Sequence, residues 1–475
     1  MKLRVTIVGL IAVMIWACSD QGPTASGATR VVLSTVGLDL DADGYTVTID
    51  ARSQQPASIN GTVQFDSLAP GSHSVGLGDL ASNCAVSGAN PLSVDVVAEN
   101  TAEVTFAVVC TVRFVAVSAG SGHTCATTTR GSAYCWGDNS YGELGDGITD
   151  GIRSEIPVKV LGGLTFAAVI AGPGHTCGLT TDGKAYCWGH DGGALGDDTT
   201  TAPEQCGFAH IRCRPVPVAV LGGLAFVTTS LGGGGGFHTC GVALGGQAYC
   251  WGFNNYGELG DGTIFDRASP VAVIGGHSFA ALSAGGEHTC GVTTAREAYC
   301  WGSNGFGQLG SGGDTAIQHT SPIAVVGGLT FTSVSAGGLH TCGVTAGGQA
   351  YCWGTNYFGQ LGNGASETTE QASPVAVVGG LTFATISAGS EHTCGLTTEG
   401  VAYCWGYAYA VGRRPIPLAV DGGFTFDALS AGGNHTCGLT RNGLLFCWGS
   451  NSAGELGDGT TGDYRSTPVK VFGQP

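Results

Sequence analysis

Histidine, cysteine and tryptophan recur along this chain in two short phrases. His-Thr-Cys begins at His123, His175, His238, His288, His340, His392 and His435, and Cys-Trp-Gly begins at Cys135, Cys187, Cys250, Cys300, Cys352, Cys404 and Cys447. Imidazoles and thiolates build metal centres, nucleophilic sites and acid–base pairs. The spacing here fits none of them. The two cysteines of a repeat stand ten residues apart and are never grouped in fours as a zinc site requires. A catalytic site needs one place where acid, base and nucleophile converge, whereas here every candidate recurs repeat by repeat. There is no Gly-x-Ser-x-Gly, no His-Glu-x-x-His and no phosphate loop. The Gly-Glu-Leu-Gly-Asp-Gly carboxylates at 142–147, 257–262 and 454–459 recur like turn residues. The expectation is a chain that is not an enzyme, with no metal and no cofactor. Each histidine then bridges strands through a ring nitrogen bonded to backbone, and each tryptophan packs between repeats.

The cysteine spacing has its own physical reading. In Cys177-Gly-Leu-Thr-Thr-Asp-Gly-Lys-Ala-Tyr-Cys187 the midpoint is Asp182, so a hairpin with a three-residue loop sets the two cysteines directly opposite each other. The last loop position needs positive φ, and Gly131, Gly183, Gly246, Gly348, Gly400 and Gly443 stand there. Arg296 is the exception and is expected to be strained. Opposed strand cysteines lie within disulfide reach. The expected pairs are Cys125–Cys135, Cys177–Cys187, Cys240–Cys250, Cys290–Cys300, Cys342–Cys352, Cys394–Cys404 and Cys437–Cys447, joined by Cys84–Cys110 and Cys206–Cys213. Cys18 is left over.

The elements that carry these residues are short β-branched runs between glycine clusters. Successive histidines lie 52, 63, 50, 52, 52 and 43 residues apart, a period that indicates a propeller of four-stranded blades. The fold class is all-β: a seven-bladed β-propeller over 113–475, preceded by a small Ig-like β-sandwich over 29–112 whose runs alternate apolar and polar residues. At the ring's seam, Pro468–Phe472 is expected to pair with the strand at 114–118. Residues 1–17 form a signal peptide, with Lys2 and Arg4 before an apolar run from Val5 to Ala17. Ile15-Trp16-Ala17-Cys18 resembles a bacterial lipobox, which implies lipidation of Cys18 and a tether over 18–28. The expected location is the cell envelope, on the outer membrane, or secretion without an anchor. A formal charge of −17 argues against a phosphate-backbone partner, so no nucleic acid is expected.

The unit Ser283-Ala-Gly-Gly-Glu-His-Thr followed by Trp301-Gly-Ser-Asn-Gly-Phe-Gly-Gln-Leu-Gly-Ser-Gly312 resembles the regulator of chromosome condensation repeat family, over 113–475. The resemblance implies a seven-bladed propeller and a binding role. Members of that family include a nucleotide-exchange factor for a nuclear GTPase, a plant ultraviolet sensor and a secreted bacterial inhibitor of β-lactamases. Only the last shares an exported lifestyle. The sensor's tryptophans precede its His-Thr pairs, where this chain has Gly122, Gly174, Phe237, Glu287, Leu339, Glu391 and Asn434.

Function is therefore sought where the repeats differ. The second repeat gains Cys206-Gly-Phe-Ala-His-Ile-Arg-Cys213, and the sixth shortens to Tyr407-Ala-Tyr409-Ala-Val-Gly-Arg413-Arg414. Aromatic residues and arginine dominate binding hot spots. The expected partner-binding set is Phe208, His210, Arg212, Phe237, Glu287, Leu339, Glu391, Tyr407, Tyr409 and Arg413, on a surface-anchored platform for an unidentified protein. An alternative is glycan binding by Tyr141, Tyr256, Phe306 and Phe358. Asp39-x-Asp41-x-Asp43-Gly44, with Asp50 at the twelfth place, imitates a calcium loop but reads as an acidic turn between strands.

Overall fold

The computed structural model describes residues 25–475 apart from 42, 200–203, 208–210, 233–235, 366–369, 409–411 and 463. Cys18, the expected signal peptide at 1–17, Phe208, His210 and Tyr409 lie outside the described residues. The chain divides into two compact units, Met1–Cys110 and Thr111–Pro475.

Among its described residues the first unit has eight strands: β1 (Gly27–Gly37), β2 (Tyr45–Ile49), β3 (Ser53–Ala57), β4 (Thr62–Leu68), β5 (Gly71–Gly78), β6 (Cys84–Val86), β7 (Leu92–Val96) and β8 (Thr101–Cys110). They form two sheets, β4-β1-β8-β6 and β3-β2-β5-β7. Alternation along each strand sends one face inward, so Val31, Leu33, Phe65 and Phe106 meet Tyr45, Val47, Ile49 and Val75 in one core. The sheets are not wholly antiparallel. The pairing of β1 with β8 is parallel, from Ala28 opposite Thr101 to Gly37 opposite Cys110. The long path between these strands permits a crossover that a hairpin could not make. In the acidic loop, Asp41 Oδ2 accepts from the Ala81 amide at 2.6 Å, while Asp50 accepts from the Ser74 amide and bonds His73. These carboxylates secure different turns rather than converge as a calcium loop requires.

The second unit is a series of seven sheets, one per repeat. The first holds β9 (Phe114–Ala119), β10 (His123–Thr128), β11 (Ala133–Gly137) and β12 (Ser154–Lys159), in the order of the chain. Six sheets have four strands; the second adds a fifth, Glu204–Cys206, from its insertion. The central strands are buried along both faces, with β10 inaccessible throughout, and read as continuous rather than alternating runs. Glycine inside such a strand has a packing cause. A Cβ on Gly178 would lie 2.3 Å from the Phe166 ring laid across it. Cysteines oppose each other in every repeat, with a Cα–Cα distance of 4.1 Å between Cys177 and Cys187. The structure carries disulfides at all nine of the pairs named above.

The seam differs from expectation. Arg465–Lys470 pairs with its own neighbour Leu445–Gly449, and Phe114–Ala119 pairs with β10. Pro468–Phe472 therefore does not join the strand at 114–118. The reason lies in the Gly-Gly link. In the fourth and fifth repeats, Gln318–Ala324 closes one sheet and Phe331–Ala336 opens the next, so Gly327 and Gly328, both at positive φ, carry the chain between sheets rather than around a hairpin. Each repeat is complete in itself, and no strand is exchanged among the described residues.

Successive sheets are joined by side chains. Trp188 Nε1 and Thr176 Oγ1 of the second sheet both donate to the Glu143 carbonyl of the first, at 2.7 and 2.9 Å. His123 Nε2 bonds the same Thr176 hydroxyl at 2.8 Å. The seventh sheet treats the first alike: Trp136 and Thr124 donate to the Glu455 carbonyl, and His435 bonds Thr124 at 2.7 Å. The histidines thus bond threonine hydroxyls of the neighbouring sheet, not backbone, because the carbonyl at the joint is already occupied by the tryptophan and threonine donors. Each tryptophan also packs on the phenylalanine that opens its sheet, as in Phe331–Trp353, with ring centroids 5.8 Å apart.

Arg296 holds φ at 66°, a conformation its Cβ disfavours. Arg296→Gly is expected to raise stability by roughly 1 kcal/mol, read as a higher urea midpoint with unchanged slope. An unaltered midpoint would show the turn to be unstrained.

Candidate functional site

The repeated histidines are not available for chemistry. At six of the joints the threonine hydroxyl gives its proton to a carbonyl, so the histidine beside it must be the donor, neutral and protonated on Nε2. Burial pushes the imidazoles down to about 4 at His123, His238 and His392 and about 3 at His175, His288 and His340, and it lowers His435 as well. Two of the turn carboxyls shift the other way. Burial raises Glu258 to about 7 and Glu143 well above the usual range. Their oxygens accept from the amides of Tyr256 and Tyr141, a task that Gln308 and Gln360 perform in other repeats.

Variable residues gather on one rim. The residue before each His-Thr pair uses its carbonyl to accept from the amide of the residue after Trp-Gly in the same repeat: His190 to Gly174, Phe253 to Phe237, Ser303 to Glu287, Thr355 to Leu339 and Tyr407 to Glu391. Two unconstrained positions therefore stand side by side at the same place in every sheet. In the second and third sheets three of these four positions carry rings, His190, Phe237 and Phe253, and Tyr141 of the first repeat extends the row. Tyr141 meets His190 edge-on at 5.2 Å, His190 meets Phe237 at 5.1 Å, and Phe237 meets Phe253 at 5.7 Å. Gly174 makes this possible, since a Cβ there would come within 3.0 Å of both Phe237 and Tyr141. A cleft beside the row is lined by His190, Asp191, Ile211, Arg212, Phe253 and Asp266. The Cys206–Cys213 disulfide holds the insertion, and Arg212 with it, against this edge.

The expected binding residues thus fall into separate groups. Phe237 and Arg212 come together around His190. Tyr407 lies 5.1 Å from Phe358, and Arg413 sits over the Phe358 ring at 5.5 Å. Glu287, Leu339 and Glu391 occupy half-buried rim positions between these groups, and burial raises the Glu391 carboxyl. His190 and Phe253 were missed from the sequence. Their signal was the position after Trp-Gly, which varies as widely as the one before His-Thr. Of the rings considered for glycans, Tyr141 belongs to the aromatic row, Phe306 packs on Tyr357, and Tyr256 is exposed.

The RCC1-like domain family matches residues 85–383, more than half of the chain. The chain belongs to the RCC1-like domain family. Regulator of chromosome condensation (RCC1) repeats also match 383–408, 426–455 and 442–475. The ultraviolet-B receptor UVR8 of Arabidopsis thaliana is 28% identical over 62% of this chain and 65% of its own length. The human E3 ubiquitin-protein ligase HERC2 is 27% identical over 61% of this chain and 6% of its own. The chain thus spans less than two thirds of either relative. Among solved structures, yeast RCC1 (Prp20) bound to Kap60 superposes with a TM-score of 0.61 at 21% identity, covering 71% of this chain and 83% of that one. Human WBSCR16 gives 0.63 at 19%, covering 72% and 94%. These likenesses identify the second unit as an RCC1-like β-propeller.

Titration of the joints has a definite sign. The buried histidines take up protons less readily folded than unfolded, so their contribution is complete above pH 6.5 and is lost as pH falls towards 4 and then 3. Glu258 acts oppositely: it holds its proton more tightly when folded, so its burial costs stability as pH rises from 4.5 to 7. The melting temperature is expected to fall steeply below pH 6.5. Glu258→Gln should melt higher than wild type at pH 8 and equal to it at pH 4. A flat profile from pH 7 to 4 would contradict the histidine assignment.

Proposed function

We propose that this chain is an exported, seven-bladed RCC1-like propeller that binds a protein partner through the aromatic rim of its first three blades. The single observation that carries this reading is the Tyr141–His190–Phe237–Phe253 row with Arg212 beside it. It stands where an otherwise repeated surface departs from its repeat. Rings of low conformational freedom next to an arginine are what a protein hot spot uses. Yeast RCC1, whose fold this unit shares, was solved bound to Kap60, and Prp20p was studied for binding to Gsp1p and histones. A protein-binding role is extended to this chain on its own surface features.

Export is supported by nine disulfides, which belong to an oxidising compartment, and by the apolar leader ending at Cys18. Lipid attachment at Cys18 would tether the chain to the cell envelope, with the first unit as an Ig-like spacer. In this reading the chain has no catalytic role. Its formal charge of −17 favours a partner other than nucleic acid.

Immobilised wild type should capture an envelope protein that Phe237→Ala or Arg212→Glu loses by roughly tenfold or more, the cost of a hot-spot residue. Capture unaffected by both substitutions would refute the rim. Retention of a sugar on a glycan array, lost with the same variants, would replace the protein partner with a glycan.

A further inference from the structure

Six of the seven joints between blades are filled by the chain's own Gly-x-Leu-Gly turn or its close variant. The turn's x residue offers the carbonyl to the next blade's tryptophan and threonine: Glu143, Ala194, Glu258, Gln308, Gln360 and Glu455. Its leucine is buried completely, as at Leu144 and Leu361. Its second glycine lies against the next indole, where a Cβ on Gly362 would stand 2.6 Å from Trp405 Nε1. That glycine's carbonyl then accepts an amide from its own blade's outer strand, as Val378 donates to Gly362 at 3.0 Å.

The sixth repeat lacks this turn. Tyr407 pairs with Arg413 and Ala408 with Gly412, so only 409–411 link strands that 138–153 link in the first repeat. Three groups lose their counterparts among the described residues: the Trp448 indole N–H, the Thr436 hydroxyl proton and the Asp421 amide. Thr436 Oγ1 still bonds His392 Nε2 at 2.8 Å. Trp448 is 7% exposed, whereas Trp353 is 0%. The apolar cluster at this joint, Leu396, Ala402, Phe426 and Trp448, contains no turn leucine. In place of the turn is a cavity of about 260 Å³ lined by residues including Trp405, Tyr407, Arg414, Asp421, Thr436 and Trp448.

We infer that this slot between the sixth and seventh blades binds a Gly-x-Leu-Gly turn presented by a partner protein. The three donors ask for two carbonyls, on residues i and i+2, with an apolar side chain on i+1 directed into the core. The other six joints show that arrangement on this same scaffold. The slot is distinct from the rim of the first three blades, so either site can fail without the other.

The test uses a cyclised peptide of residues 356–364, Asn-Tyr-Phe-Gly-Gln-Leu-Gly-Asn-Gly, added to the full chain labelled with 15N. The Trp448 indole resonance, assigned by its loss in Trp448→Phe, is expected to move downfield and saturate. A peptide carrying aspartate in place of leucine should leave it unmoved. Thr436→Val should weaken binding by roughly tenfold, the effect of one lost hydrogen bond. Replacing 409–411 with residues 356–369 should raise the melting temperature and abolish the response to peptide. A resonance unmoved at millimolar peptide, an equal response to the aspartate peptide, or unimpaired binding by the grafted chain would each overturn the inference.

Discussion

A single backbone carbonyl in six of the seven joints carries the connection from one blade to the next. At Glu143 it receives the Trp188 indole N–H and the Thr176 hydroxyl together, and the hydroxyl in turn receives His123. Much of the repeat is explained by this junction. Tryptophan is required because its N–H must cross a wholly buried gap while its ring covers the preceding blade's disulfide and leucine, as Trp188 does with Cys125, Cys135 and Leu144. Glycine must follow the leucine, because any side chain on Gly145 would strike the indole. Histidine must be neutral, because both protons of an imidazolium could not be matched there. A buried polar group without a partner costs about 1–3 kcal/mol, so the junction tolerates little substitution.

The disulfides act on a different level. They fasten the two central strands within one blade and form no covalent link between blades. Each blade is thereby stapled internally, while the joints remain non-covalent. Since no blade borrows a strand from another among the described residues, the first and last meet through the same tryptophan, threonine and histidine bonds as the first and second. The seam is one more copy of the joint.

That repetition decided what the sequence could reveal. Cysteines ten residues apart around an Asp182-type turn specify a hairpin, and with it the pairing, because strand geometry leaves one register. Arg296 was recognisable as a strained turn because six glycines marked its place. Strand assignment to blades was harder. A Gly-Gly pair between two β runs suits a hairpin and an inter-blade link equally, and only packing separates them. The histidine's partner was hidden for a similar reason: the threonine it bonds lies 53 residues further along the chain at His123. The parallel pairing of β1 and β8 left no local signal. The binding rim was half legible. Phe237 and Arg212 stood out as departures from the repeat, but His190 and Phe253 became neighbours only once a hydrogen bond had placed the positions before His-Thr and after Trp-Gly side by side.

The most direct measurement is the tautomeric state of the histidines by long-range 1H–15N correlation at pH 7. The ring of joints predicts seven imidazoles, at 123, 175, 238, 288, 340, 392 and 435, that stay neutral as pH falls through 6.5, with Nε2–H tautomers at all of them but His392, whose threonine has no carbonyl acceptor among the described residues. Nδ1–H tautomers, or seven rings that gain a proton near pH 6.5, would contradict it.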